Sequence, residues 1–175
     1  MRWLPELNER QRCCRKLLVS NRKSLVSNLK SHNVTINEVQ DELIADFSFF
    51  DDWMAKYEYI IQLGKELPLI DEQFKEDSYL IKGCQSKVWL HADHQDGKVI
   101  FTADSDAIIT KGLVALMVKV LSGHTPHEIV ESDLYFIDQI GLQEHLSPTR
   151  ANGLLSMVKQ MKLYAATLQA VDNNL

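Results

Sequence analysis

Every second residue is apolar on both sides of the triplet Gln95-Asp96-Gly97, from Val88 to Ala92 and again from Val99 to Ala103. A period of two places these side chains on one face of a β-strand, and Asp-Gly is a frequent dipeptide in the tight turn of a hairpin. The pattern therefore predicts an antiparallel hairpin with one apolar face. Because a lone hairpin is marginally stable in water, other elements must cover that face.

The rest of the sequence after residue 34 has mainly helical periodicity, with residues 67–78 as a polar connection. Helices are predicted at Ile36–Phe47, Trp53–Gly64, Ile108–Leu121, Leu134–Ile140 and from Pro148 onward, and Thr125-Pro126-His127-Glu128 has the capping box of a further short helix. Helices before and after one hairpin predict an α+β fold: a small antiparallel sheet with helices packed on one side.

The formal net charge of −5 is distributed unevenly. Residues 1–33 carry eight basic and two acidic residues, whereas residues 34–175 carry 11 basic and 22 acidic ones. An acidic surface repels phosphate backbones, which argues against nucleic-acid binding by residues 34–175. We expect these residues to form one domain. Residues 1–33 are interpreted as a basic N-terminal extension, either a disordered tail or upstream sequence from an early start site, with a transit peptide as the third interpretation.

The lack of a membrane-spanning or secretory segment and the cysteine content both favour a cytoplasmic protein. No stretch approaches the roughly 20 consecutive apolar residues that span a bilayer, and no secretory signal is evident, so we expect a soluble protein without a membrane partner. The three cysteines, Cys13, Cys14 and Cys84, lack the paired spacings of a disulfide framework or a zinc site. We therefore expect a reducing compartment and predict no metal site.

Cys84 is the main candidate for chemistry. It lies between an extended segment and the first strand, in Lys82-Gly83-Cys84-Gln85-Ser86. Gly83 permits backbone conformations closed to other residues, and reactive side chains are common on loops held by rigid elements. Nearby positive charge from Lys82 and Lys87 would favour the nucleophilic thiolate. The other interpretation is a core cysteine beside a glycine turn, and the loop context leaves both open.

Other polar residues give weaker indications of a site. The histidines that could serve a catalytic thiol as base have no signature spacing; they are His91, His94, His124, His127 and His145. The segment 104–106 (Asp-Ser-Asp) is either a cation site or, as we expect, a helix cap with Asp106 at the N-cap. Arg150 is the only arginine in residues 34–175 and lies in the first turn of a predicted helix, where a cation is unfavourable. We expect it to pair with a nearby acid or to face a partner.

Four blocks follow one another along the chain: residues 59–68 (YIIQLGKELP), 81–89 (IKGCQSKVW), 104–113 (DSDAIITKGL) and 146–154 (LSPTRANGL). Together they resemble the SufE/CsdE family of cysteine desulfuration proteins, and the similarity extends from about Asp46 to Ala166. The resemblance implies a SufE/IscU-like fold. It also makes residues 34–175 a SufE-like sulfur-acceptor domain.

The resemblance implies a specific role for Cys84. In that family the cysteine of the Gly-Cys-Gln-Ser loop, matched here by Cys84, takes persulfide sulfur from a pyridoxal-phosphate desulfurase of SufS or CsdA type. The sulfur then passes to a SufBCD-type scaffold for iron–sulfur cluster assembly, and the carrier needs no cofactor of its own. The family thiol is sheltered in an apolar cleft until the partner draws it out, which protects a persulfide from oxidation. Loop support and partner docking are implied for Gly83, Gln85, Ser86, Asp104, Asp106, Lys111 and Arg150.

Several alternatives stay open or are disfavoured. The choice between Suf and Csd partners is open, as is a homodimer. The main rival function is an allosteric adaptor that activates a desulfurase while Cys84 is only structural. An iron–sulfur scaffold needs several thiolate ligands, whereas residues 34–175 contain one cysteine. The missing resolving cysteine also counts against a thiol peroxidase. The chain has no Schiff-base lysine motif for pyridoxal phosphate, so we expect an activator and acceptor, not the desulfurase itself.

Overall fold

The predicted hairpin forms the sheet of the molecule. The computed structural model describes residues 34–172, and in it β1 (Val88–Gln95) pairs antiparallel with β2 (Lys98–Ser105), with Val88 opposite Ser105. Asp96 and Gly97 have φ values of 53° and 75°, and positive φ at both central residues is what the tightest hairpin turns require. The hairpin prediction is confirmed.

Within the described residues, two helices precede the sheet, α1 (Ile36–Ser48) and α2 (Trp53–Lys65). Thr35 and Glu38 form a capping box at the start of α1. The carboxylate of Asp52 accepts a hydrogen bond from the backbone N–H of the third residue of α2 at 2.9 Å. These caps satisfy N–H groups that the first helical turn leaves unpaired, and so they define where each helix begins.

The central helix α3 (Ile108–Leu121) packs against β2 and α2 and is buried over most of its length. Its approach to α2 is very close, because a Cβ atom added to Gly112 would overlap the carbonyl oxygen of Ile60. Together with α3, the apolar face of the hairpin forms the centre of the core: Val88, Leu90, Val99, Phe101 and Ala103 have no exposed surface. The alternation in the sequence thus identified the buried face correctly.

Four helices follow α3 in the described part of the chain: α4 (Pro126–Glu131), α5 (Phe136–Gln139), α6 (Leu142–His145) and α7 (Pro148–Asp172). The predicted capping box at the start of α4 is confirmed. Helix α6 was not predicted, because a single turn contains too few residues to establish a period. The polar connection contains two short 3₁₀ turns, Glu72–Phe74 and Asp77–Tyr79.

A small two-stranded antiparallel sheet with helices packed on it confirms the α+β prediction. The interpretation of residues 1–33 as an extension lies outside the described residues and stays a prediction. Among residues 34–172, no helix combines the length and the apolar composition needed to cross a membrane.

Candidate functional site

Residues 82–87, which we call the cysteine loop, project from the edge of the sheet just before β1. Leu80 forms an isolated antiparallel bridge with Trp89. The N–H of Ile81 donates to the carbonyl oxygen of Val88 at 2.9 Å and closes the base of the loop. The two ends of the loop are therefore fixed to the sheet, while the residues between them leave it.

Gly83 is required in the cysteine loop for two separate reasons. Its φ is +92°, a region that L-amino acids rarely adopt. In addition, a Cβ atom at this position would lie 2.7 Å from Oγ of Ser156 on α7. The sequence-based prediction that Gly83 adopts a special conformation is confirmed, and the second reason arises from a helix more than 70 residues away.

Cys84 points toward α7 and is half-buried. Its Sγ atom lies 3.6 Å from the carbonyl oxygen of Gly153, in a weak hydrogen bond. A Cβ atom on Gly153 would lie 3.5 Å from the same sulfur. The thiol therefore packs directly against the backbone of α7, which brings together two residues that are 69 positions apart.

Burial raises the pKa of the Cys84 thiol above its ordinary value. We predicted the opposite influence, a thiolate favoured by Lys82 and Lys87, and this prediction is wrong. Both lysine side chains are exposed, where solvent screens their charge, and desolvation of the sulfur dominates. In this conformation Cys84 is held as a thiol, the form that can donate to the Gly153 carbonyl.

Asp106 fastens the far end of the cysteine loop. Its carboxylate accepts a hydrogen bond from the N–H of Lys87 at 3.0 Å, and its own N–H donates to the carbonyl oxygen of Lys87 at 3.3 Å. The prediction that Asp106 is the N-cap of the next helix is wrong: the N-cap is Ala107, without a side-chain cap. The carboxylate of Asp106 is engaged with the loop instead of the helix.

An open cleft of about 680 Å³ lies beside the thiol. Three parts of the chain line it: the cysteine loop with Cys84, Gln85 and Ser86, the segment that leads into α3 with residues 106–110 and Leu113, and the first turns of α7 with Arg150 and Met157. Thr110, on the α3 side, donates a hydrogen bond to the hydroxyl of Ser86 at 3.4 Å. The cleft thus has a mixed apolar and polar wall.

Arg150 is exposed on the cleft wall. We expected it to pair with an acid or to face a partner. Among the hydrogen bonds and ion pairs of residues 34–172, none involves its guanidinium group. The interpretation as an ion pair within the domain is therefore wrong, and the charge is available in the cleft.

A family model described as "SufE: Fe-S metabolism associated domain" matches residues 41–165. The chain belongs to the SufE family. An uncharacterised SufE-like protein of Rhizobium meliloti (strain 1021) is 44% identical over 127 residues, which cover 70% of this chain and 91% of that protein. A second uncharacterised SufE-like protein, from a Synechocystis species, is 39% identical over 150 residues, covering 85% and 94%. Membership of the SufE family implies that this protein is a sulfur-transfer partner of cysteine desulfurases in iron–sulfur metabolism.

A solved structure with the SufE-type fold of this chain is the solution structure of a hypothetical protein from Thermus thermophilus. The TM-score is 0.64 at 19% sequence identity, with 75% of this chain and 96% of that chain covered. This likeness supports the fold assignment alone.

Two further predicted site residues of this SufE-family chain, Asp104 and Lys111, are not part of the cleft wall. Asp104 forms ion pairs with Lys111 at 2.6 Å and with Lys75 at 3.0 Å. Burial opposes ionisation of Asp104, but hydrogen bonds from Lys111 and Lys75 outweigh it, so that the pKa of this carboxyl is lowered. These two ion pairs join the end of β2 to α3 and to the polar connection. Lys75 was missed, because it lies in a segment without periodicity.

The five histidines of the described part of this SufE-family chain are absent from the cleft that borders the thiol. His91 stacks on Phe74 and His145 stacks on Trp53, each with ring centroids 3.9 Å apart. His124 is buried, which lowers its pKa. Within the described residues, no histidine lines the cleft, and no group of three or more His, Cys, Asp or Glu side chains is arranged to hold a metal ion.

Proposed function

We propose that Cys84 accepts sulfane sulfur from the active-site persulfide of a cysteine desulfurase, stimulates that enzyme by removing its product, and delivers the sulfur to a SufBCD-type scaffold. The observation that carries this proposal is the position of Cys84. It is the one free cysteine of the described residues, and it borders an open cleft on a loop held by two helices and the sheet. The desulfurase is of SufS or CsdA type.

The transfer is a thiol–disulfide exchange. The thiolate of Cys84 attacks the outer sulfur of the enzyme persulfide, a new S–S bond forms at Cys84 Sγ, and the bond to the enzyme cysteine breaks. The enzyme cysteine leaves as a thiolate, and the proton given up by Cys84 is taken by that thiolate or by solvent. No electrons are gained or lost overall. The step needs no cofactor on this chain, and the pyridoxal phosphate belongs to the desulfurase.

The half-burial of Cys84 is consistent with a carrier that is unreactive until it meets its partner. Attack requires the thiolate, yet burial holds the sulfur as a thiol against Gly153. The loop has a glycine with positive φ at one end, Gly83, and at the other end its Lys87 N–H is hydrogen-bonded to the carboxylate of Asp106. We propose that docking of the desulfurase moves the loop between these two points and exposes the sulfur.

The same half-burial favours one rival function. A cysteine packed on a helix and kept as a thiol is also what an allosteric adaptor with a purely structural Cys84 would have. The two functions differ in whether sulfur becomes covalently attached, so one experiment separates them.

The test incubates the full-length protein with a SufS-type desulfurase and radiolabelled cysteine. We expect label and the mass of one sulfur atom on the tryptic peptide 83–87, together with faster desulfurase turnover. Cys84→Ser should lose both effects. The Cys13→Ser/Cys14→Ser variant, which keeps Cys84 as its one thiol, should retain them. Full stimulation by Cys84→Ser without bound label would support the adaptor and overturn the proposed carrier function.

A further inference from the structure

The product of the proposed transfer has a different charge from the resting thiol. A persulfide is a stronger acid than a thiol, because its outer S–H is bonded to a second sulfur atom. At neutral pH, Cys84 with its extra sulfur is therefore largely an anion. An anion in a half-buried position is unfavourable unless a positive group accompanies it.

The charged side chains that line the cleft are Asp106 and Arg150. Asp106 is negative and already accepts a hydrogen bond from the Lys87 backbone. Of the lysines close in sequence, Lys82 and Lys87 are exposed and absent from the cleft wall, and Lys111 is paired with Asp104. Within the described residues, Arg150 is therefore the cleft cation without an ion-pair partner.

Arg150 also lies on the same side of α7 as the residue that Cys84 contacts, and both Arg150 and Cys84 line the cleft. Arg150 precedes Gly153 by three residues on α7, and residues three apart are neighbours on one helix face. Gly153 is the residue against which Sγ of Cys84 packs. A cation in the first turn of a helix is electrostatically unfavourable, so helix stability does not account for an arginine at this position.

We propose that Arg150 is the charge partner of the Cys84 persulfide anion, which it holds in the cleft between loading and delivery. The proposal rests on the proposed carrier function of Cys84. The cleft would then bind the anionic outer sulfur of the persulfide. Arg150 would act in the sulfur-loaded protein, which is a role separate from partner docking.

The test measures the acidity of the persulfide without a desulfurase. In the Cys13→Ser/Cys14→Ser background, the Cys84 thiolate first attacks an aromatic disulfide reagent, which leaves a mixed disulfide on Cys84 and releases one aromatic thiolate. Hydrosulfide then displaces the aromatic thiolate and leaves the Cys84 persulfide. The pH dependence of its alkylation by iodoacetamide reports the persulfide pKa, because the anion is the form that reacts.

We expect Arg150→Met to raise this pKa by about half a unit to one unit, so that alkylation below the pKa slows about threefold to tenfold. Arg150→Lys should restore most of the difference. Lys159→Met, which removes an exposed charge of the same sign from the same helix, should match the parent. Added salt should raise the pKa of the parent and leave that of Arg150→Met nearly unchanged, because the ion pair is solvent-accessible.

An unchanged pKa in a folded Arg150→Met protein would overturn the inference, as would a Lys159→Met effect of equal size. Circular dichroism and the melting temperature verify folding. These outcomes are distinct from failure of the proposed function, which would appear as absence of sulfur transfer from the desulfurase to Cys84 whatever the persulfide pKa.

Discussion

The two ends of strand β1 each carry a loop with a glycine in a positive-φ conformation, yet the loops are held in different ways. At the hairpin turn, Gly97 has φ of +75°, and a Cβ atom there would meet nothing within 4 Å. In the cysteine loop, Gly83 has φ of +92°, and a Cβ atom there would strike Ser156. The turn depends on its own backbone, whereas the cysteine loop depends on surrounding helices.

This difference separates a loop that connects strands from a loop that presents a reactive group. The turn joins two strands that are already paired, so its residues need only the right backbone angles. The cysteine loop must place one sulfur against Gly153 and beside the cleft, and it does so through contacts with α3 and α7. Matched substitutions at the two ends of β1 test this distinction.

The largest expected difference is between Gly83→Ala and Gly97→Ala. Both place a side chain at positive φ, and each should lower the free energy of unfolding by about 1–2 kcal/mol. Only Gly83→Ala should also displace Cys84, and we expect it to slow sulfur loading from the desulfurase about tenfold or more. Urea unfolding and the rate of label uptake measure the two effects.

Adding Ser156→Ala to Gly83→Ala provides the control for this first prediction. It removes the hydroxyl that the new Cβ would strike but leaves the strained φ, so it should recover part of the loading rate and little of the stability. Equal loading defects in Gly83→Ala and Gly97→Ala would show that the cysteine loop is no more dependent on its surroundings than the turn.

The next comparison concerns one acidic side chain at each end of β1. Asp106 accepts from the N–H of Lys87 in the cysteine loop, and Asp93 accepts from the N–H of His94 near the turn. Removing one such hydrogen bond shifts loop opening by about 0.5–1 kcal/mol, so Asp106→Ala should speed alkylation of Cys84 about twofold to fivefold. Asp93→Ala should leave the alkylation rate unchanged. An alkylation rate that rises equally in both variants would contradict the claim that the Asp106 hydrogen bond specifically holds the cysteine loop closed.

Local patterns in the sequence predicted most of the secondary structure of residues 34–172. The period of two from Val88 to Ala103 identified the hairpin and its buried face, and the capping box at Thr125 identified the start of α4. These features depend on residues within one or two turns of each other. Helix α6 was not found, because its single turn shows no period of its own in the sequence.

The surroundings of Cys84 were less predictable, because they depend on tertiary contacts. The loop context and the family resemblance pointed to Cys84, and the resemblance also placed the block that contains Gly153 around the cysteine loop. Neither indicated Ser156 as a neighbour of Gly83. The predicted direction of its pKa shift was wrong, because the burial that raises the pKa depends on how α7 packs on the sulfur. Asp106 was assigned to the helix next to it in sequence, and the structure directs it to the loop instead.

A smaller effect is expected where α7 meets the thiol. Gly153→Ala places a Cβ atom 3.5 Å from Sγ, an ordinary contact distance. Alanine in a helix interior is favoured over glycine by up to about 1 kcal/mol, so the melting temperature should rise. The outer sulfur of a persulfide has less room, so loading should slow about twofold. Asn152→Ala, an exposed neighbour, should raise stability without slowing loading. Equal loading by Gly153→Ala and the parent would show that the outer sulfur lies elsewhere.

The smallest effects are expected from pH. Cys84, near one end of β1, should affect the free energy of unfolding at alkaline pH, and Asp93, near the other end, should affect it at acidic pH. Burial raises the pKa of Cys84. The folded state therefore keeps the proton after the unfolded chain has lost it, and stability falls as pH rises from the unfolded thiol pKa through the folded one. The pKa of Asp93 is lowered by hydrogen bonds from Gln95 and from the His94 N–H, so its contribution is present above the unfolded carboxyl pKa and is lost as pH falls through the folded one. In the Cys13→Ser/Cys14→Ser background, urea unfolding should show an alkaline decline that Cys84→Ala makes smaller, while Tyr135 and Tyr164, whose pKa values are also raised, keep the rest. The acidic decline should become slightly smaller in Asp93→Asn, because Asp104 and Glu128, whose pKa values are also lowered, keep most of it. An alkaline decline of unchanged size in Cys84→Ala would mean that the buried thiol does not contribute to it, and the contrast between the cysteine loop and the turn would then rest on contacts alone.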